Sequence, residues 1–200
     1  MRRTLLLVGI LLLSIITAHA EIFESKFGFK ATIPSDWLIL TAEELKKNPD
    51  LFNTSHESFK NVDKNVLKDA ANRVRQGTNE IYLHKGKGSN RGFTENINVF
   101  KVAGRLPRGE PECRVECAKL PAGLSKMFGK SIKLYQCGLR KAASLPALYA
   151  EFDGIINGTR SLSYQIQWSP NFVLVFTATC ANQRLDIMRK MFNDIVNSVH

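Results

Sequence analysis

The chain has 200 residues, of which 44% are hydrophobic and 23% are charged, and its formal net charge is +10. This apolar content is ordinary for a globular protein. After the first twenty residues, no apolar run approaches the length of about 20 residues that a transmembrane helix needs, which excludes a protein with several membrane spans.

The first twenty residues show the three regions of a secretory signal peptide in order. Arg2 and Arg3 give the positive start, and an apolar run follows over residues 5–16. The run ends at the small-x-small cleavage motif Ala18-His19-Ala20. We therefore expect cleavage after Ala20, a periplasmic or secreted location, and no transmembrane anchor after processing.

The expected organisation is a signal peptide over residues 1–20 and a single domain over residues 21–200, which is long enough for a substantial core. The domain opens with a half-buried strand that Pro34 ends, and an apolar patch follows at Trp37-Leu38. The apolar residues that alternate along this strand are Phe27, Phe29, Ala31 and Ile33.

Two amphipathic helices are predicted next. The first begins at the capping box that Thr41 opens and ends at Pro49. The second can be capped by Asp63 and ends at Gly77. The apolar residues that share one face of this second helix are Leu67, Ala70, Ala71 and Val74.

Two strands are predicted at Glu80–His84 and Glu95–Val102, joined by a basic, glycine-rich loop over residues 85–92. The glycine spacing is not that of a phosphate-binding loop and no helix signal follows, so a long hairpin loop is the better interpretation. A helix is predicted from Cys113 to Phe128, and Pro121 is expected to kink or split it.

The C-terminal half has the pattern of a strand meander. Asn157-Gly158 predicts a type I′ hairpin turn within it, and alternation places Glu151 and Asp153 on the outer, solvated face of their strand. The run at 172–177 is apolar on both faces, as in a central strand. The predicted strands of this half cover residues 131–140, 148–153, 161–168 and 172–177.

The last segment is a strongly amphipathic helix that Asn182 is placed to cap. Its apolar stripe must be buried, and the meander offers the nearest apolar surface. The order of elements predicts an α+β fold, with a mostly antiparallel sheet of six to seven strands and helices packed on it. The stripe consists of Leu185, Met188, Phe192, Ile195, Val196 and Val199.

Positive charge is concentrated between His84 and Lys141, where 13 Lys and Arg face 4 Glu. This asymmetry predicts an anionic partner, either envelope lipid headgroups, a polyanionic polysaccharide or an acidic protein face. A solvated surface that keeps the protein soluble explains the charge equally well. Nucleic acid is not an expected partner, since no aromatic-basic recognition signature is present. The candidate binding residues are Lys85, Lys87, Arg91, Arg105 and Arg108.

Four cysteines (Cys113, Cys117, Cys137 and Cys180) in an exported chain favour disulfides, and three pairings are possible. Cys113 and Cys117 are spaced i, i+4, which on a helix rarely gives disulfide geometry. Each of them, if oxidised, is therefore expected to reach Cys137 or Cys180. Four buried thiols are the alternative. A metal site is a weak interpretation, because no second pair and no histidine cluster accompany the CxxxC spacing.

The opening residues 27–37, FGFKATIPSDW, resemble the "FGFxxxIPxxW" start of PsbP-like domains. The meander from Tyr149 to Thr179 and the closing helix are similar to the C-terminal half of the same group. This resemblance implies an α-β-α sandwich around an antiparallel sheet, and docking or accessory subunits rather than enzymes. The four cysteines and the basic middle third are not part of the family pattern.

Catalysis is not predicted. The part after residue 20 contains only His56, His84 and His200, and none lies in a nucleophile motif. A thiol oxidoreductase would have CxxC at a helix start, and Cys113-x-x-x-Cys117 is one residue longer. No cofactor motif is present. We therefore expect an exported binding or accessory protein of the cell envelope; a structural subunit of an envelope assembly is the alternative, and a hydrolase or thiol-redox enzyme a more distant one.

Overall fold

The computed structural model describes residues 20–52, 64–85 and 94–200. Residues 1–19 of the predicted signal peptide, the Asp63 cap and most of the basic loop at 85–92 lie outside these residues, as does the side chain of Leu67. The strands, in chain order, are β1 (Ala20–Glu24), β2 (Lys30–Pro34), β3 (Trp37–Leu40), β4 (Glu80–His84), β5 (Asn96–Ala103), β6 (Leu134–Ala142), β7 (Leu145–Asp153), β8 (Thr159–Ser169) and β9 (Phe172–Ala181). The α-helices are α1 (Ala42–Lys47), α2 (Lys64–Arg75), α3 (Glu110–Phe128) and α4 (Leu185–Asn197).

Seven of these strands form one antiparallel sheet in the order β3-β4-β5-β9-β8-β7-β6, and β1 and β2 form a separate hairpin. The strand β9 lies between β5 and β8, as its two-sided apolar sequence predicted. One face of the sheet packs against α4 and the β1–β2 hairpin, and the other against α1, α2 and α3. The predicted α+β layered architecture is therefore confirmed.

The helix α4 closes the larger core. Met188, Phe192, Ile195 and Val196 are buried in one cluster with residues of β5, β7, β8 and β9. The chain end also holds the β1–β2 hairpin, because the backbones of His200 and Lys30 exchange two hydrogen bonds. The stripe that the sequence predicted to be buried is thus the contact between the sheet and its cover.

The opposite face is covered in two parts. Leu45 of α1 and Val74 of α2 pack over Leu40 and Ile81, at the β3–β4 side of the sheet. The helix α3 covers the β6–β7–β8–β9 side with two smaller clusters. Together with α4 on the other face, these helices make an α-β-α sandwich.

The N-terminal elements of the structure match the sequence predictions in part. The capping box is confirmed, since the Thr41 side chain accepts a hydrogen bond from the Glu44 backbone N–H. The first predicted strand begins later than expected, at Lys30, because the chain turns at Gly28 with φ +86°. The apolar patch at Trp37-Leu38 is the start of β3. The late start of the first strand arises because Phe27, which lies in the turn, continues the apolar alternation of the strand.

The predicted type I′ turn at Asn157-Gly158 is wrong. Only Gly158 has a positive φ there, whereas a type I′ turn needs two such residues. The strand register explains why the turn is not type I′. Asp153 of β7 pairs with Arg160 of β8, and the six residues between them are too many for a two-residue turn. The tight turn instead joins β6 to β7 at Ala143 and Ser144, with φ values of 51° and 64°.

The structure also differs from two predictions about helices, one at Pro121 and one at Asn182. Pro121 does not split α3, which runs continuously through it from Glu110 to Phe128. Asn182 does not cap α4, because it begins a short 3-10 turn and α4 starts only at Leu185.

A buried carboxylate fastens the β1–β2 hairpin to the sheet. The Ser25 hydroxyl and the Lys26 backbone N–H donate hydrogen bonds to Glu80 from the hairpin side, and the Tyr82 hydroxyl donates from the neighbouring position of β4. Burial raises the pKa of Glu80 above its ordinary value, although these hydrogen bonds oppose the shift.

We expect Phe192→Ala to lower the free energy of unfolding by about 3–5 kcal/mol, because it leaves a cavity beneath α4 where the side chain is 0% exposed. Urea denaturation measures this loss. Ile187→Ala on the solvent side of the same helix, where the side chain is 54% exposed, is the control and should change stability by about 0.5 kcal/mol or less. Equal effects of the two substitutions would contradict this account of the core.

The raised pKa of Glu80 predicts a pH dependence of stability. The folded state holds the proton more tightly than the unfolded state, so the contribution of Glu80 is complete below its unfolded pKa, near 4.5, and is lost as pH rises through the folded pKa. The free energy of unfolding of the wild type relative to Glu80→Gln should therefore fall over that window. Urea titrations of both proteins at stepped pH measure the difference, and a rise with pH would refute the assignment.

Candidate binding site

One end of the sandwich is basic. The β6–β7 turn, the β8–β9 turn and the C-terminal end of β5 lie at the same end of the sheet, as the strand pairing shows. The segment 104–109, which leads into α3, is tied there because Gly104 N–H donates to the Asn171 carbonyl and Leu106 N–H donates to the Gln167 side chain at 2.6 Å. We call this the basic end; its exposed cations are Lys101, Arg105, Arg108, Arg140 and Lys141.

A groove of about 500 Å³ opens at the basic end between α3 and the segment 104–109. Leu148 of β7 lies at its base and Val115 of α3 is half exposed on its wall. The complete lining is Arg105, Leu106, Pro107, Glu112, Val115, Glu116, Leu120, Leu148 and Gln165. The groove therefore combines apolar walls with a charged rim.

The rim is held in place by one carboxylate. Glu112 accepts a hydrogen bond from the Arg108 backbone N–H at 2.9 Å and from the Arg105 guanidinium at 3.1 Å. The Arg108 N–H first, and then Arg105, lower the pKa of Glu112 below its ordinary value. The Arg108 side chain itself is left exposed.

The structure divides the predicted binding residues between two ends of the sheet. Arg105 and Arg108 lie at the basic end. Lys85 follows β4 at the opposite end and donates a hydrogen bond to the Ser35 carbonyl. The strand β5 separates the two places, which at 8 residues is roughly 26 Å. Lys87 and Arg91 lie outside the described residues.

A row of buried charges crosses the sheet at the end opposite the basic end, beneath the start of α4. Its first half is centred on Glu151, whose side chain is 4% exposed. Arg160 of β8 binds one carboxylate oxygen at 2.7 Å, and Arg189 of α4 binds the other at 3.0 Å. Burial by itself lowers the pKa of Arg189, but the hydrogen bonds to Glu151 and Asp186 raise it above its ordinary value.

The predicted outer, solvated position of Glu151 is therefore wrong. The strand β7 is buried on both faces, because it lies between β6 and β8 and is covered by helices on either side. The alternation of apolar and polar residues along this strand indicated only which residues share a face with Tyr149. It could not indicate that α4 would bring Arg189 onto that face from 38 residues further along the chain.

The second half of the row is centred on Glu95. The Arg184 guanidinium donates to it at 2.7 Å, which raises the pKa of Arg184. His84 lies between two carboxylates, 3.7 Å from Glu95 and 3.2 Å from Asp36. Sequence reasoning assigned none of these residues a partner, because each pair joins segments that are distant in the chain.

Cys180 occupies the space between the two halves of this row, since it pairs with Arg160 in the sheet. Burial first, and then the Glu95 carboxylate, raise the pKa of this thiol to about 12. A protonated thiol is a poor nucleophile. With both glutamates held by arginines, the arrangement ties the start of α4 to the sheet rather than activating a reacting group.

The cysteines form one disulfide. Cys117 of α3 is bonded to Cys137 of β6, with 5.8 Å between their Cα atoms, as expected for a distant partner of Cys117. Cys113 and Cys180 are buried thiols. They lie on opposite faces of the sheet, in the α3 and α4 clusters respectively, and this separation prevents them from pairing. Within the described ranges, no group of three or more His, Cys, Asp or Glu is placed to hold a metal ion.

No protein-family model matches the sequence, and no curated protein matches it. Solved structures do. Cyanobacterial PsbP (CyanoP) from Synechocystis sp. PCC 6803 superimposes with a TM-score of 0.55 at 10% identity, over 94% of this chain and 95% of that one. The Ran-binding protein Mog1p from Saccharomyces cerevisiae superimposes with a TM-score of 0.53 at 10% identity, over 92% and 96% of the two chains.

The chain therefore has the PsbP-like fold, as the resemblance of its opening motif and its meander implied. At 10% identity the likeness concerns the fold alone. Across the described residues, no helix is long and apolar enough to cross a membrane.

We expect Glu151→Ala to lower the free energy of unfolding by about 3–5 kcal/mol, because it leaves Arg160 and Arg189 without their shared partner. Chemical denaturation followed by circular dichroism measures this. Asp186→Ala removes the other, 94% exposed partner of Arg189 and should cost about 1 kcal/mol or less. If Glu151→Ala left stability unchanged, the row would not have the structural role assigned to it.

Proposed function

We propose that this protein is an exported, non-enzymatic binding protein of the cell envelope, which docks on an anionic partner through its basic region. The observation that carries the proposal is the groove at the basic end, whose apolar walls adjoin the exposed cations of that end. The docking surface consists of this groove together with Arg105, Arg108 and Lys141.

The charge distribution supports an anionic partner. From residue 117 to residue 150 the chain contains six Lys and Arg and no Asp or Glu, and this stretch forms the end of α3 and the edge of the sheet. Arg140 and Lys141 of this stretch lie at the basic end, and together with Lys101, Arg105 and Arg108 they attract anions over about a Debye length.

The groove favours an acidic protein segment over a flat lipid surface. Leu106, Val115 and Leu148 line a concave space, into which an apolar side chain can be inserted while neighbouring carboxylates contact the exposed cations of the basic end. Interfaces of this kind have an apolar centre and a polar rim. A bilayer surface offers no protruding apolar side chain of this kind to the groove.

Two further observations agree with the proposal. Mog1p, which shares the fold, is a Ran-binding protein, so this architecture can carry a protein-binding surface. The disulfide between Cys117 and Cys137 fits an oxidising compartment, which supports export through the predicted signal peptide.

Three triple substitutions to Ser test the docking surface, each removing three positive charges from the mature protein. The measurement is capture of proteins from envelope extract on the immobilised protein, titrated at ionic strengths of about 0.01 M and 1 M, where the Debye length is about 30 Å and 3 Å. The three sets are Arg105/Arg108/Lys141 at the basic end, Lys85/Lys87/Arg91 around the basic loop, and Lys46/Lys68/Arg75 on α1 and α2 as the matched control.

We expect the basic-end variant to weaken capture on the order of tenfold at low salt, at roughly 0.5 kcal/mol per exposed contact. The control should bind like the wild type. Loss only in the loop variant would move the charge-driven site to Lys85, Lys87 and Arg91, the other candidates from the sequence. Equal capture by all four proteins would refute docking through the basic region. If the wild type captures no protein but binds vesicles of phosphatidylglycerol, the anionic partner is a lipid.

A further inference from the structure

Three of the four cysteine sulfur atoms lie together beneath α3. Cys113 and Cys117 occupy successive turns of its buried side, and Cys137 lies opposite them on β6. The Cys113 thiol sulfur is 3.8 Å from the Cys117 sulfur, which is already bonded to Cys137. A free thiol therefore contacts a disulfide, which is the arrangement from which thiol–disulfide exchange proceeds.

We propose that Cys113, Cys117 and Cys137 form a thiol–disulfide exchange site that delivers a reactive thiol at Cys137. In the first step α3 opens locally, because the Cys113 side chain is only 2% exposed; the Cys113 thiol then passes its proton to water and its sulfur attacks Cys117. The Cys113–Cys117 bond forms, the Cys117–Cys137 bond breaks, and Cys137 leaves as a thiolate. One disulfide replaces another, so the step needs no oxidant and no reductant.

The helix allows the new bond without favouring it. Residues four apart in an α-helix have Cα atoms about 6 Å apart, at a rise of 1.5 Å per residue. This distance lies within the range that disulfides span, roughly 4.4–6.8 Å, but the two side chains follow the helix surface rather than facing each other. The bond from Cys117 to Cys137 is therefore the resting state, and the exchanged state is the minor one.

The released thiolate lies at a place that a partner can reach. Cys137 is half buried, and β6 is the last strand of the sheet in the described part of the chain. An edge strand presents free backbone N–H and C=O groups to an extended segment. The partner chemistry is thus a disulfide carried on an extended segment; the Cys137 thiolate attacks it, forms a mixed disulfide and releases the partner's second sulfur as a thiol.

Alkylation under native conditions tests the exchange. The mature oxidised protein is incubated with N-ethylmaleimide, and non-reducing peptide mapping then locates the alkylated cysteines and the disulfides. We expect alkylation of Cys137 together with a Cys113–Cys117 disulfide in the same molecules. In Cys113→Ser, alkylation of Cys137 should fall on the order of tenfold or more, because no thiol remains to release it.

Cys180 is the internal control for unfolding, because it is 0% exposed on the opposite face of the sheet. The proposal requires Cys137 to be alkylated faster than Cys180. Alkylation that reaches Cys137 only together with Cys180, or that reaches Cys113 while the bond from Cys117 to Cys137 stays intact, would overturn the proposal.

A second variant tests the same bond without a competing partner. Oxidised Cys137→Ser should contain a Cys113–Cys117 disulfide, and two thiols at these positions would contradict the proposed exchange. Oxidised glutathione serves as the partner probe. It should form a mixed disulfide at Cys137 in the wild type and none in Cys113→Ser, and equal modification of the two proteins would overturn the delivery of Cys137.

Discussion

The burial of the α4 stripe against the sheet is the contact on which most of this structure depends. Phe192 and Met188 lie over the central strands, and the residues after the helix hold β2 through the pair of hydrogen bonds between His200 and Lys30. Without this contact, one face of β8 and β9 would be exposed to water, and the β1–β2 hairpin would lose its attachment.

The polar interior is arranged around that contact. The row from His84 to Arg189 lies beneath the start of α4, and each of its glutamates binds an arginine from α4 or from the residue that precedes it. Buried ion pairs add less stability than apolar packing, but a helix placed in the wrong register would leave them unpaired at a high cost. We infer that packing holds α4 on the sheet, while the charged row determines where along the sheet it begins.

The features relevant to binding lie away from this interior. The groove and the three cysteine sulfur atoms belong to α3 and its neighbouring segments, on the face opposite α4. The proposed docking surface therefore lies on the face that α4 does not cover. The disulfide connects α3 to the edge strand β6, so that a change in its pairing would alter both the groove wall and the edge.

Local sequence patterns determined much of this protein. The α4 stripe, the Thr41 cap, the strand at Glu80–His84 and the central place of β9 could all be predicted from the sequence. Each of them depends on the pattern of side chains within one segment. Tertiary structure alone decided that Glu151 is buried, that Ala143-Ser144 makes the tight turn, that Cys117 rather than Cys113 bonds to Cys137, and that Lys85 and Arg105 lie at opposite ends of the sheet. Each of these depends on strand register or on residues far apart in the chain, which periodicity does not encode.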